Sequence, residues 1–107
     1  MTKVRIDPGI CGLKTLVTAE ADEDNEVVLK ISSACKAIKG MAADLGEEFD
    51  GFEICMQKPG CGPFYEYARS GRQPIHAACP VISGITKCVE AECRLALKKN
   101  ATIEFID

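Results

Sequence analysis

The chain has 107 residues, 13 Lys and Arg against 16 Asp and Glu, a net charge of −3 and 47% hydrophobic residues. These values describe a globular chain with one modest core, not a disordered segment and not a basic module built to track nucleic acid. No apolar run approaches the roughly 18–20 residues of a membrane span, and no apolar stretch follows Met1-Thr2-Lys3-Val4-Arg5 to form a secretory signal. The reading is one domain over residues 1–107, placed in the cytoplasm, with no membrane and no nucleic-acid partner.

The elements follow in chain order. Lys3–Ile6 alternates, with Val4 and Ile6 on one face, and predicts a short strand ended by Pro8-Gly9. Lys14–Ala21 is rich in β-formers and predicts a second strand. Asp22-Glu23-Asp24-Asn25 is a polar turn. Glu26–Ile31 alternates again through Val27, Leu29 and Ile31. Together these predict an antiparallel meander. Ser32-Ser33 supply N-cap candidates for a helix running from about Ser33 to Leu45, with Gly46 as its stop. The acidic run through Asp44, Glu47, Glu48 and Asp50 reads as a solvated helix end. Phe52, Ile54 and Met56 alternate with polar or small residues and suggest a strand. Phe64–Arg69 suggests one or two helical turns. Pro80 opens a last helix that carries Ile82, Ile85, Val89, Cys93, Ala96 and Leu97 on one face and runs to about Lys98. Thr102, Ile103, Phe105 and Ile106 predict a terminal strand. The expected fold class is α+β: a three-stranded antiparallel meander, helices packed on one of its faces, and a C-terminal strand.

Seven cysteines are the strongest chemical signal. A reducing compartment makes them metal ligands, nucleophiles or core residues before it makes them disulfides, and the odd count agrees. Cys11 falls in a turn between Gly9 and Gly12. Cys35 falls in the first turn of a helix, where unpaired N–H groups and the positive dipole end suit a thiolate. Cys79 precedes Pro80, at the N-cap of the last helix, for the same reason. Thiolates are the ligands that iron–sulfur clusters and zinc select. His76, the one histidine, lies three residues before Cys79 and is a candidate nitrogen ligand. Cys61, between Gly60 and Gly62, is the rival fourth ligand. Cys93 reads as core filler, Cys88 lies at the boundary of the same face, and Cys55 reads as structural. No tight CxxC pair is present, so metal binding is here a matter of spatial convergence and not of a local motif.

This order of elements and thiols resembles the NifU/IscU-type iron–sulfur cluster scaffolds. Cys11-Gly12 matches that family's first cysteine, in a turn of its meander. Cys35 matches the second, at the start of the helix after the third strand. His76 with Cys79 matches the third group, at the start of a late helix. The chain departs from the pattern where Leu13 and Lys14 stand in place of an aspartate that aids cluster release. It departs also where two alanines separate His76 from Cys79, and where Lys36 replaces a glycine. The run Cys79-Pro80-Val81, Gly84-Ile85 and Lys87 is also similar to one near the C-terminus of an uncharacterised prokaryotic family, which implies no function.

The resemblance implies a scaffold or carrier that binds an iron–sulfur cluster or zinc through Cys11, Cys35 and Cys79, with His76 or Cys61 completing the site. Its partner would be an acceptor protein for cluster or sulfur, and a homo-oligomer whose neighbouring subunit supplies a fourth ligand is left open. One alternative is a thiol redox or sulfur-transfer protein that uses Cys79 or Cys35 as nucleophile. The other is an interaction module with incidental cysteines.

Overall fold

A computed structural model describes residues 1–107. Three strands, β1 (Thr2–Ile6), β2 (Thr15–Ala21) and β3 (Glu26–Ser33), form the expected antiparallel meander. Helix α1 (Lys36–Leu45) follows, then a short strand β4 (Glu48–Asp50) and helices α2 (Gly51–Cys55), α3 (Pro63–Ser70) and α4 (Val81–Glu92). Sheet order is β1-β2-β3-β4, antiparallel throughout.

Alternation decides which face of the sheet the helices cover. Ile6, Val17, Ala19, Val27 and Leu29 point inward and are buried, while Lys3, Arg5, Glu20, Glu26 and Lys30 face solvent. The register sets Val4 opposite Val17 and Val17 opposite Ile31. The helices close over this face with Ile38 and Met41 from α1, Ile54 from α2, Phe64 and Tyr67 from α3, and Val81, Ile82, Ile85, Cys88 and Val89 from α4.

Two close approaches seat α4 against β1. A side chain at Gly84 would run into Ile6, so only glycine lets the first turns of α4 lie on the end of β1. At the other end, Glu92 accepts from the Thr2 hydroxyl at 2.8 Å and from the Ala21 amide at 3.0 Å. Helix α4 therefore runs antiparallel to β1.

Four expectations are corrected. The acidic run after α1 forms β4: Glu48 pairs with Val28 and Asp50 with Glu26, and the Leu29 amide donates to the Glu47 carbonyl at 2.7 Å. Residues around Phe52 form helix α2 and not a strand. The Asp50 carboxylate caps it by accepting from the Phe52 amide at 2.9 Å, and only Ile54 of the three alternating apolar residues is buried. Helix α4 stops at Glu92, well short of Lys98, because the chain turns over at Arg94 (φ 61°). The Leu95 amide there donates to the Glu90 carbonyl at 2.8 Å and the Arg94 amide to the Ala91 carbonyl at 3.2 Å, a Schellman closure built without glycine. Finally, Thr102–Ile106 pairs with nothing and forms no strand in the single chain.

Candidate functional site

The sheet register gathers three chain segments at one end. Ile6, the last residue of β1, lies opposite Thr15, the first of β2, and Thr15 lies opposite Ser33, the last of β3. The Ala34 amide donates to the Lys14 carbonyl at 3.2 Å and carries the pairing one step past the strand end. Since Gly84 sits on Ile6, the start of α4 lies at this end too. The β1–β2 loop with Cys11, the start of α1 with Cys35, and the lead-in to α4 with His76 and Cys79 thus share one end of the molecule.

Each is held by its own local geometry. Cys11 is exposed in a turn closed by the Gly12 amide donating to the Gly9 carbonyl at 2.9 Å. Both glycines have positive φ, 93° and 68°, which other residues rarely adopt. Cys35 is the N-cap of α1 and not a residue of its first turn, with extended φ −84° and ψ 124°. Its carbonyl accepts from the Lys39 amide at 2.9 Å, and its amide donates to the Ser33 hydroxyl at 3.1 Å. Its half-buried side chain makes no capping hydrogen bond, and no acidic residue occupies the first turn. Cys79 stands one residue outside α4, whose N-cap is Pro80. Its amide donates to the His76 carbonyl at 3.2 Å, a tight turn that leaves His76 exposed and Cys79 half-buried.

Cys61 lies in the turn between α2 and α3, outside the three segments that the sheet register gathers. The Cys61 amide donates to the Lys58 carbonyl, and Gly62 packs against the Glu53 carbonyl. No group of three or more His, Cys, Asp or Glu side chains is arranged to hold a metal ion. The thiols of Cys11, Cys35 and Cys79 share an end of the fold without forming a coordination sphere as the chain stands.

The other cysteines are held as thiols. Burial pushes Cys88 up to about 11, and its Sγ donates to the Thr2 carbonyl at 3.4 Å. Burial first, then Cys93 and Glu90, push Cys55 up to about 12, with its Sγ 3.9 Å from the Thr86 carbonyl. Burial, then Glu92 and Asp50, raise Cys93. These sulfurs are packing atoms that tie α4 to the sheet and to α2.

Two positioning residues escape a periodicity reading. Ser33 is not the N-cap of α1. Its buried hydroxyl pairs with that of Thr15 at 2.7 Å while accepting from the Cys35 amide, so it joins the sheet end to the candidate thiol. Glu92 is a carboxylate on the apolar face of α4, one heptad after Ile85, and that placement was its only signal.

No helix is long and apolar enough to cross a membrane. One family model, described as "Family of unknown function (DUF6951)", matches residues 2–105. No curated protein and no solved structure matches the chain.

Proposed function

Starting from a chain that belongs to the DUF6951 family, we propose that the fold serves thiol exchange or sulfur transfer, with Cys35 as the reacting sulfur. One observation carries this reading: Cys35 caps α1 with a side chain committed to no internal hydrogen bond, at the end of the molecule that also holds Cys11 and Cys79. The free amides of the first helical turn are available to negative charge on that sulfur.

The reaction is a displacement at sulfur. The Cys35 thiolate bonds to one sulfur of a disulfide or persulfide carried by a partner. The S–S bond of the partner breaks, and the other sulfur leaves with the electron pair as a thiolate. The product is a mixed disulfide, or a Cys35 persulfide that a second acceptor can collect.

The resemblance to cluster scaffolds supplies a second reading, favoured by the same shared end. Cys11, Cys35 and Cys79, with His76, would hold an iron–sulfur cluster or zinc for an acceptor protein. Since no three donors converge in the single chain, that reading requires the loops to close or a neighbouring subunit to contribute.

A chromogenic aromatic disulfide separates the two. The proposal expects a fast thiolate-release phase near neutral pH that Cys35→Ser removes and Cys61→Ser leaves intact. Anaerobic incubation with iron and sulfide, or with zinc, should leave that phase unchanged. Joint protection of Cys11, Cys35 and Cys79 by metal would replace this reading with the scaffold.

A further inference from the structure

We infer that the segment Thr102–Asp107 is an exchanged strand, which pairs with the outer edge of β1 in a second copy of this chain. The inference is independent of the thiol chemistry. It starts from two features that the single chain leaves unmatched.

The first is the segment itself. Ile103, Phe105 and Ile106 are 94%, 97% and 95% exposed, a density of bare apolar side chains that a free polar tail does not carry. The sequence Thr-Ile-Glu-Phe-Ile-Asp has strand composition, with Ile103, Phe105 and Asp107 on one side of an extended chain and Thr102, Glu104 and Ile106 on the other. The Schellman turn at Arg94 pins the Leu95 and Ala96 amides on the Glu90 carbonyl, so the segment leaves α4 from a fixed point.

The second is the sheet edge. The sheet has two, β1 and β4, and each is paired on one side only. Strand β4 has three residues, and Glu47, Glu48 and Asp50 make that edge acidic. Strand β1 has five, with Thr2, Val4 and Ile6 toward the helices and exposed Lys3 and Arg5 on the outer face. Charges on an edge strand reject indiscriminate pairing. Lys3 and Arg5 reject basic strands and accept one that carries acids.

The acid that the segment carries on the face opposite Ile103 and Phe105 is Glu104. Laid along β1 with Ile103 and Phe105 toward the helix layer, it sets Glu104 on the outer face beside Lys3 and Arg5. Against β4 the same segment meets like charge. A second copy offers the same edge and the same segment, so two reciprocal exchanges close a two-fold dimer and leave no open β1 edge.

Sedimentation of the full chain over a concentration series tests this. The expected result is a concentration-dependent dimer that becomes monomeric in Ile103→Asp/Phe105→Asp, with the circular dichroism spectrum unchanged. Charge reversal supplies the second arm. Lys3→Glu/Arg5→Glu alone and Glu104→Lys alone should each weaken self-association by roughly tenfold, and the two variants mixed should form a heterodimer, since each edge then meets a segment of opposite charge. A full chain monomeric at about 1 mM, including one whose segment folds back on its own β1, overturns the inference. So does a dimer indifferent to the segment, or failure of the two reversed variants to pair.

Discussion

At the scale of single residues, hydroxyl and carboxylate groups at the two ends of the sheet do the positioning. Ser33 is buried and serves both the Thr15 hydroxyl and the Cys35 amide. Ser33→Ala leaves both partners short, at a cost of about 1–3 kcal/mol, measurable by urea unfolding. If Ser33 orients the thiol, the same variant also slows the reaction of Cys35 with a disulfide. Glu92 plays the matching role at the far end. Burial pushes its carboxyl up, but the Ala21 amide, the Thr2 hydroxyl and the N-terminal ammonium of Met1, 3.4 Å away, together outweigh that, and the net shift is downward. A carboxyl lowered on folding contributes stability that is present above its unfolded value, about 4.3, and is lost as pH falls through the folded value. Glu92→Gln should therefore cost about 1–2 kcal/mol at neutral pH and flatten the decline of stability on acidification. An unchanged acid profile in that variant would show that Glu92 is not what couples α4 to the sheet.

At the scale of elements, α4 is the clasp of the fold. It buries Ile85, Val89 and Cys88 completely, so Ile85→Ala should cost about 2–5 kcal/mol in chemical unfolding. Gly84→Val should cost about 1–3 kcal/mol by overpacking, since its side chain would meet Ile6. The meander, α1, α3 and the start of α4 were legible in the sequence because each has its own period and its own stop. What was not legible depends on neighbours distant in sequence. Nothing local says that the acidic run after α1 pairs with β3, where Val27 and Val28 offer an open edge. Alternation at Phe52, Ile54 and Met56 mimics a strand, yet the Asp50 cap and the contact of Gly51 with Cys93 and Val27 turn it into a helix. The end of α4 was read too late because a left-handed Arg94 closes it where a glycine was the expected sign. The Thr102–Ile106 segment has strand composition, but no strand of its own chain pairs with it.

At the scale of the whole molecule, the sheet register and the antiparallel run of α4 separate the cysteines into two sets. Buried Cys88 and Cys93 and half-buried Cys55 tie α4 to its surroundings, while exposed Cys11 and half-buried Cys35 and Cys79 lie at the end where β1, β3 and the lead-in to α4 meet. The local signals set Cys11 in its turn, but put Cys35 inside the first turn of α1 where it is the N-cap, and Cys79 at the N-cap of α4 where Pro80 stands. Their common placement follows from the pairing of Ile6, Thr15 and Ser33 and from the seat of Gly84 on Ile6, which no spacing in the sequence displays. Cys61 had an equally suggestive glycine loop, yet its turn lies between α2 and α3 and is not one of the segments that the strand ends and the seat of α4 bring together. The central claim is that Cys35 is the reacting thiol of this set. Site-resolved alkylation of the native chain near neutral pH, read peptide by peptide, tests it most directly. Cys35 should be modified first, on the order of tenfold faster than Cys11 despite being less exposed, while Cys55, Cys88 and Cys93 react only on unfolding. A Cys35 rate equal to or below that of Cys11, or labelling of Cys88 in the folded chain at a comparable rate, would contradict it.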